Sequence, residues 1–155
     1  MATERIRVLC VDDNIFVADG IKIRLSINPG FEWVGYLRTA DALVSEVRRL
    51  RPDVVLLDID MPGKDSLKAL EELSAAVPEA RTIIVSGYER DDYLDRSVES
   101  GAWGYVSKND GPDRIVEAIR DVHSGRFAFG PSVMRIRSQA GLDQARQRLV
   151  TLDPL

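Results

Sequence analysis

Short apolar runs alternate with longer amphipathic stretches along most of this chain. Five runs have the length of strands and lie at residues 6–11, 33–37, 54–57, 82–86 and 104–107. Several are apolar at consecutive positions, which is typical of parallel strands that are buried on both faces. The stretches between them carry apolar residues at helical spacing, such as Val17, Ile21 and Leu25. Five such pairs predict a doubly wound α/β domain with right-handed crossovers.

Composition excludes several classes of protein. The 155 residues suffice for one domain of ordinary size, and the net charge of -4 argues against binding nucleic acid through bulk positive charge. Cys10 is the single cysteine, so neither an internal disulfide nor a cysteine-based zinc cluster can form. No apolar run reaches the length of a membrane span and no signal peptide is apparent, so we expect a cytoplasmic protein.

A boundary is predicted near Gly125, where glycine and proline interrupt the pattern. Residues 1–124 form the predicted α/β domain, and residues 125–155 form a linker or C-terminal helical extension. The second segment holds five arginines and two aspartates, in contrast to the acidic first segment. A solvated helix explains these arginines better than a phosphate-binding helix does.

Polar and charged residues stand where the predicted strands end. Asp12 and Asp13 follow the first strand, Asp58 follows the third, Ser86 ends the fourth and Lys108 follows the fifth. Ligand sites of doubly wound sheets lie at the carboxyl ends of the strands. We therefore expect these five side chains to meet at one edge of the sheet.

Three crowded carboxylates require either a raised pKa or a bound cation. Mg²⁺ suits a site whose ligands are all oxygens. Together with a lysine and a hydroxyl group, such a site fits a phosphoryl group, and a carboxylate can act as the nucleophile that forms an acyl phosphate. The chain has no phosphate-binding glycine loop, so the expected donor is a phosphoprotein or a small phosphodonor rather than a nucleotide.

Four stretches in this order resemble the receiver domain of two-component response regulators, which has the CheY-like fold. They read VLCVDDN (8–14), VVLLDIDMPGKDSL (54–67), TIIVSGY (82–88) and GAWGYVSK (101–108). The resemblance covers about residues 5–124. It implies a five-stranded parallel sheet in the order 2-1-3-4-5, and a switch that takes a phosphoryl group from a sensor histidine kinase rather than an enzyme acting on other substrates.

The resemblance also implies a role for each matching residue. Asp58 is the expected phosphoacceptor, and Lys108 is expected to contact the phosphoryl group. Ser86 is the expected switch hydroxyl, and Tyr105 is the aromatic residue whose rotamer is expected to follow it, with a static half-buried aromatic as the alternative. The expected Mg²⁺ ligands are Asp12, Asp13, Asp58 and the backbone carbonyl of Asp60.

The stretch from 104 to 133 is similar to the NarL/FixJ subfamily, whose members usually carry a C-terminal helix-turn-helix. We therefore expect a piece of a longer transcription regulator that ends before its DNA-binding domain, with a stand-alone receiver as the alternative. DNA would then be bound only by the absent domain, and no membrane contact is expected. Homodimer formation is possible, and Trp103 is a candidate interface residue beside the alternative of internal packing.

Three positions depart from the commonest pattern of the family. Asn109 follows Lys108 where many receivers have proline, which rules out the usual cis X-Pro bond there. Ser66 stands where most relatives have glycine, so we expect a reshaped or strained loop. Asp60 adds an acid beside the site, with an effect on metal affinity or phosphoryl lifetime whose direction the sequence does not indicate.

Two other functions are alternatives for this pattern of residues. The Asp58-Ile59-Asp60 triplet resembles the aspartate pair of haloacid-dehalogenase-like phosphatases, but that pair normally follows the first strand, and here an acid pair precedes it. A receiver-like interaction module that is never phosphorylated is the other alternative, and the complete set of site residues argues against it.

Overall fold

A computed structural model of the chain describes residues 4–87 and 91–129. Its strands are all parallel and pair in the order β2-β1-β3-β4-β5-β6. They comprise β1 (Ile6–Val11), β2 (Phe31–Leu37), β3 (Val54–Leu57), β4 (Arg81–Ser86), β5 (Gly104–Ser107) and β6 (Ala128–Phe129). The parallel α/β prediction is confirmed, and β2 and β4 begin slightly earlier than the pattern indicated.

Helices connect the strands, as the spacing of apolar residues predicts. They comprise α1 (Ile15–Ser26), α2 (Leu43–Leu50), α3 (Ser66–Ala76), α4 (Asp91–Glu99) and α5 (Pro112–His123). Side chains that precede the helices satisfy free backbone amides: Asn14 accepts from the first turn of α1, and Asp65 accepts from the first turn of α3. No helix among the described residues is long and apolar enough to cross a membrane.

Apolar side chains fill both faces of the sheet. In β3, Val55 and Leu57 face the core formed with α2, α3 and α4, whereas Val54 and Leu56 face the core formed with α1 and α5. All four are essentially inaccessible to solvent. This double burial explains why the central strands are apolar at consecutive positions.

The sheet has six strands instead of the five predicted, because the chain after α5 turns back and pairs with β5. Gly125 makes this turn with a φ of 93°, and Phe127 then stacks on Trp103 with ring centroids 4.7 Å apart. Gly104 allows the pairing, since a Cβ atom there would lie 2.5 Å from the carbonyl oxygen of Ala128. The helical extension predicted farther along the chain lies outside the described residues.

Trp103 lies just before β5, at the end of the sheet opposite Lys108. It is half-buried, and the guanidinium of Arg81 lies 4.3 Å from the centroid of its ring. Arg81 also donates to the carbonyl of Val122 near the end of α5. Trp103 therefore helps to pack the segment that leads into β6, and its proposed role in an interface stays a prediction.

Candidate functional site

The carboxyl ends of β1 and β3 place two aspartates side by side. The backbone amide of Asp58 donates to the carbonyl of Val11 over 2.9 Å, and that of Asp12 donates to the carbonyl of Leu37 over 3.0 Å. These ladder hydrogen bonds continue the sheet by one residue beyond each strand. The register of the sheet thus sets the position of both carboxylates.

The three predicted acids form a cluster suited to a metal ion. Asp12, Asp13 and Asp58 each offer a carboxylate oxygen, and these atoms lie within 4.8 Å of one another. Asp12 and Asp58 are buried, whereas Asp13 is exposed. Hard divalent cations prefer oxygen ligands of this kind and keep some of their water, which the exposed side of the cluster permits.

Lys108 provides the positive charge at the same edge. Its Nζ lies 2.9 Å from Oδ2 of Asp12 and 3.3 Å from Oδ2 of Asp58. Burial alone lowers the pKa of Lys108, but the hydrogen bond to Asp12 and the charges of both aspartates outweigh it and raise the pKa. Lys108 is therefore a fixed cation at physiological pH.

The carboxyl group of Asp58 has a raised pKa. Burial is the main cause, and the charge of Asp12 adds to it, whereas the backbone amide of Asp60 and the ammonium group of Lys108 oppose it. A divalent cation would favour the ionised carboxylate in the same way as Lys108 does. Once it is ionised, the poorly solvated carboxylate of Asp58 is an activated nucleophile.

Asp58→Asn is expected to raise the melting temperature of the metal-free protein by a few degrees at neutral pH. Since the folded state raises the pKa of Asp58, ionised Asp58 destabilises the fold above that pKa. The gain should shrink as the pH falls to about 4, where the wild-type carboxyl group is itself protonated. Thermal melts at both pH values test this expectation, and an equal gain at both would contradict it.

Ser86 reaches the site, but its hydroxyl does not point at the phosphoacceptor candidate. Ser86 is fully buried, and its Oγ donates to Oδ2 of Asp60 over 3.0 Å. The backbone amide of Asp60 donates to Oδ1 of Asp58 over 3.0 Å. Asp60 therefore contacts both residues, and the predicted role of its backbone carbonyl as a metal ligand stays a prediction.

Tyr105 is buried in the core between the sheet and α4, with 1% of its surface exposed. It pairs with Ile84 across β4 and β5, and two residues farther Ser107 pairs with Ser86. The structure thus places the tyrosine close to the switch candidate along the sheet. Its movement between rotamers stays a prediction.

The other two departures from the family pattern have physical explanations. Ser66 is the first residue of α3, and Arg51 is the only non-glycine residue with positive φ in the described ranges, so the expected strain at Ser66 is wrong. The hydroxyl of Ser66 is buried without a hydrogen-bond partner. The backbone amide of Asn109 donates to Oγ of Ser107, which a proline in that position could not do.

Sequence reasoning missed two residues that hold Asp12 in place. The hydroxyl of Tyr36, near the end of β2, donates to the backbone carbonyl of Asp12 over 2.6 Å. The backbone amide of Asn14 donates to Oδ1 of Asp12 over 2.8 Å. Asn14 carried a readable signal as an N-cap before an amphipathic stretch, whereas nothing in the spacing linked Tyr36 to the site.

Residues 8–120 match the family of response regulator receiver domains. This chain belongs to that family. It is therefore a receiver domain of two-component response regulators, as the four sequence stretches and the edge-of-sheet acid cluster predict.

Two similar proteins are named as regulators. The chain is 35% identical over 128 residues to the response regulator GacA of Pseudomonas aeruginosa, covering 83% of this chain and 60% of GacA. It is 36% identical over 133 residues to the transcriptional regulatory protein MctR of Rhizobium johnstonii, covering 84% of this chain and 62% of MctR. The chain thus spans about three fifths of the length of these curated relatives.

Solved structures share the fold. A two-component response regulator of the LuxR family from an Aurantimonas species superposes with a TM-score of 0.79 at 26% identity, covering 94% of this chain and 99% of that one. The receiver domain of the putative response regulator NarL from Mycobacterium tuberculosis superposes with a TM-score of 0.76 at 27% identity, covering 80% of this chain and 100% of that one.

Proposed function

We propose that Asp58 accepts a phosphoryl group from a phosphorylated sensor histidine kinase. The observation that carries this proposal is the position of its carboxylate: it is 3% exposed, is 3.3 Å from the ammonium of Lys108, and shares a cluster with Asp12 and Asp13. A carboxylate oxygen forms a bond to phosphorus while the bond from phosphorus to the donor histidine breaks. The electron pair of that bond stays on the imidazole nitrogen, which then takes up a proton.

Asp12, Asp13, Asp58 and the backbone carbonyl of Asp60 would hold Mg²⁺ in this reaction. The ion supplies charge neutralisation for the oxygens of the transferring phosphoryl group. Lys108 contributes a second positive charge, since its Nζ lies within 3.3 Å of both Asp12 and Asp58. These residues suit Mg²⁺ because three carboxylate oxygens converge at the carboxyl-terminal edge of the sheet.

The phosphoryl group becomes a signal because it adds roughly -1.5 to -2 charge and three strong acceptor oxygens. Lys108 and Ser86 would gain charge-assisted hydrogen bonds only in the modified state. Movement of Ser86 would let Tyr105 rotate, and the surface of α4, β5 and α5 would change shape. Since β6 is paired with β5, the residues that lead into the C-terminal segment are attached to this surface.

The output is proposed to be dimerisation, or control of a DNA-binding domain. The name of MctR, a transcriptional regulatory protein, supports a transcriptional output. The protein would then act as a cytoplasmic switch, with chemistry limited to its own phosphorylation and dephosphorylation. An unphosphorylated interaction module is the alternative that the experiment below tests.

Intact mass spectrometry tests the proposed function. The wild-type chain is incubated with acetyl phosphate and Mg²⁺, and in parallel with a phosphorylated histidine kinase. We expect one added phosphoryl group, which is absent in Asp58→Asn and after chelation of the metal. No adduct from either donor, together with no binding of beryllofluoride or Mg²⁺, would overturn the proposal in favour of the interaction module.

A further inference from the structure

Residue 60 contacts two groups of the switch at once. Its backbone amide donates to Oδ1 of Asp58, and its carboxylate accepts the hydroxyl hydrogen bond of Ser86, each over 3.0 Å. The side chain of Asp60 is exposed at the surface, whereas Ser86 is fully buried. An exposed acid therefore accepts a hydrogen bond from a buried hydroxyl.

We propose that Asp60 is a positioning residue that holds the hydroxyl of Ser86 away from Asp58 in the unphosphorylated state. This inference rests on the proposed function, because it assigns to Asp60 an effect on the switch that phosphorylation of Asp58 drives. Asp60 acts through Ser86 and need not touch the phosphoryl group.

The proposed effect of Asp60 arises because two acceptors compete for the hydroxyl hydrogen of Ser86. A serine hydroxyl has a single hydrogen to donate, so it can form a strong hydrogen bond to the Asp60 carboxylate or to a phosphoryl oxygen, but not to both. The hydroxyl of Ser86 can therefore donate to a phosphoryl oxygen only after its hydrogen bond to Asp60 has broken. A ligand shifts a conformational equilibrium only by its differential interactions with the two states, and this contact belongs to the unmodified state alone.

The expected size of the effect is moderate. Hydrogen bonds to charged groups are among the stronger ones in proteins, but solvent screens a carboxylate at the surface. We expect the Asp60 contact to favour the unmodified state about tenfold. Its removal should strengthen the binding of a phosphoryl mimic by the same factor.

Direct repulsion between Asp60 and the phosphoryl group would act in the same direction, so a single variant does not separate the two causes. A double-mutant cycle does, because it isolates the part of the Asp60 effect that passes through the Ser86 hydroxyl. The cycle comprises the wild type, Asp60→Ala, Ser86→Ala and the double variant. The measurement is the dissociation constant of beryllofluoride at saturating Mg²⁺.

We expect Asp60→Ala to strengthen beryllofluoride binding about tenfold when Ser86 is present, and at most twofold in the Ser86→Ala background. The inference would be overturned if Asp60→Ala strengthened beryllofluoride binding by the same factor in both backgrounds, or changed it in neither. Asp60→Asn retains an acceptor oxygen without the charge, and its binding should lie between that of the wild type and that of Asp60→Ala.

Controls separate this inference from the function on which it rests. Asp19→Ala removes the same charge from an exposed position on α1 and should leave beryllofluoride binding unchanged. The Mg²⁺ dissociation constant and the melting temperature of each variant reveal any loss of metal binding or folding. If the wild type fails to bind beryllofluoride, the proposed function fails; if it binds and the cycle is additive, only the inference fails.

Discussion

Lys108→Ala is expected to slow phosphorylation by acetyl phosphate by roughly 100-fold or more. The Nζ atom of Lys108 is within 3.3 Å of both Asp12 and Asp58, so its charge lies beside the oxygens on which charge develops during transfer. Removing a preorganised group of this kind typically costs two to three orders of magnitude in rate. The rate of adduct formation by intact mass spectrometry is the measurement.

The same substitution should have the opposite effect on metal binding. Without the positive charge of the lysine, the mutual repulsion of the three carboxylates is less offset. Their affinity for Mg²⁺ should therefore increase severalfold. A slower reaction with stronger Mg²⁺ binding would show that the lysine acts on the phosphoryl group and not through the metal. Weaker Mg²⁺ binding in the variant would contradict this assignment.

Lys108→Arg is the matched control that retains the charge. The guanidinium is a planar fork and does not fit the space in which a compact ammonium contacts two carboxylate oxygens. We expect an intermediate rate, above that of Lys108→Ala and well below that of the wild type. A rate equal to that of the wild type would mean that charge alone suffices.

The cluster of acids and Lys108 was predictable because parallel strands share an edge. Asp12, Asp13, Asp58 and Lys108 all stand directly after apolar runs, and the sheet brings these positions together whatever the details of packing. The two-sided burial of β3 was predictable for a similar reason, since four consecutive apolar residues leave no polar face for solvent. Neither prediction depends on the details of side-chain packing.

The hydrogen bond of Ser86 to Asp60 was not predictable, because it depends on a choice among neighbouring acceptors. Asp58 and Asp60 stand two residues apart, and only the tertiary distances decide which of them the hydroxyl contacts. Tyr36 was missed for the same reason, since its contact with Asp12 joins different segments. A two-residue strand such as β6 has no periodicity to detect, and the stacking of Phe127 on Trp103 that accompanies it is a tertiary contact.

Gly101→Ala is expected to destabilise the domain by about 2 to 4 kcal/mol. Gly101 joins α4 to β5 with a φ of 108°, a conformation that residues with a side chain rarely adopt. A Cβ atom there would also lie 2.3 Å from Oγ and 2.8 Å from Cβ of Ser74 in α3. Backbone strain and overpacking therefore act together at this position, and chemical denaturation measures their sum.

Two further variants separate these causes. Ser74→Ala in the Gly101→Ala background removes the clashing Oγ but leaves both the backbone strain and the contact between the two Cβ atoms, so it should restore only part of the stability. Gly20→Ala is the matched control, because Gly20 is exposed in α1 and no atom apart from its chain neighbours and the nearby helix backbone lies within 4 Å of its Cβ position. This substitution should stabilise the domain by about 0.5 to 1 kcal/mol. Since the Gly101 turn sets the start of β5, and β5 carries Lys108 to the site, the Gly101→Ala variant should also be phosphorylated more slowly. Unchanged stability of that variant would show that the turn can relax, and an unchanged rate would show that the position of Lys108 does not depend on the turn.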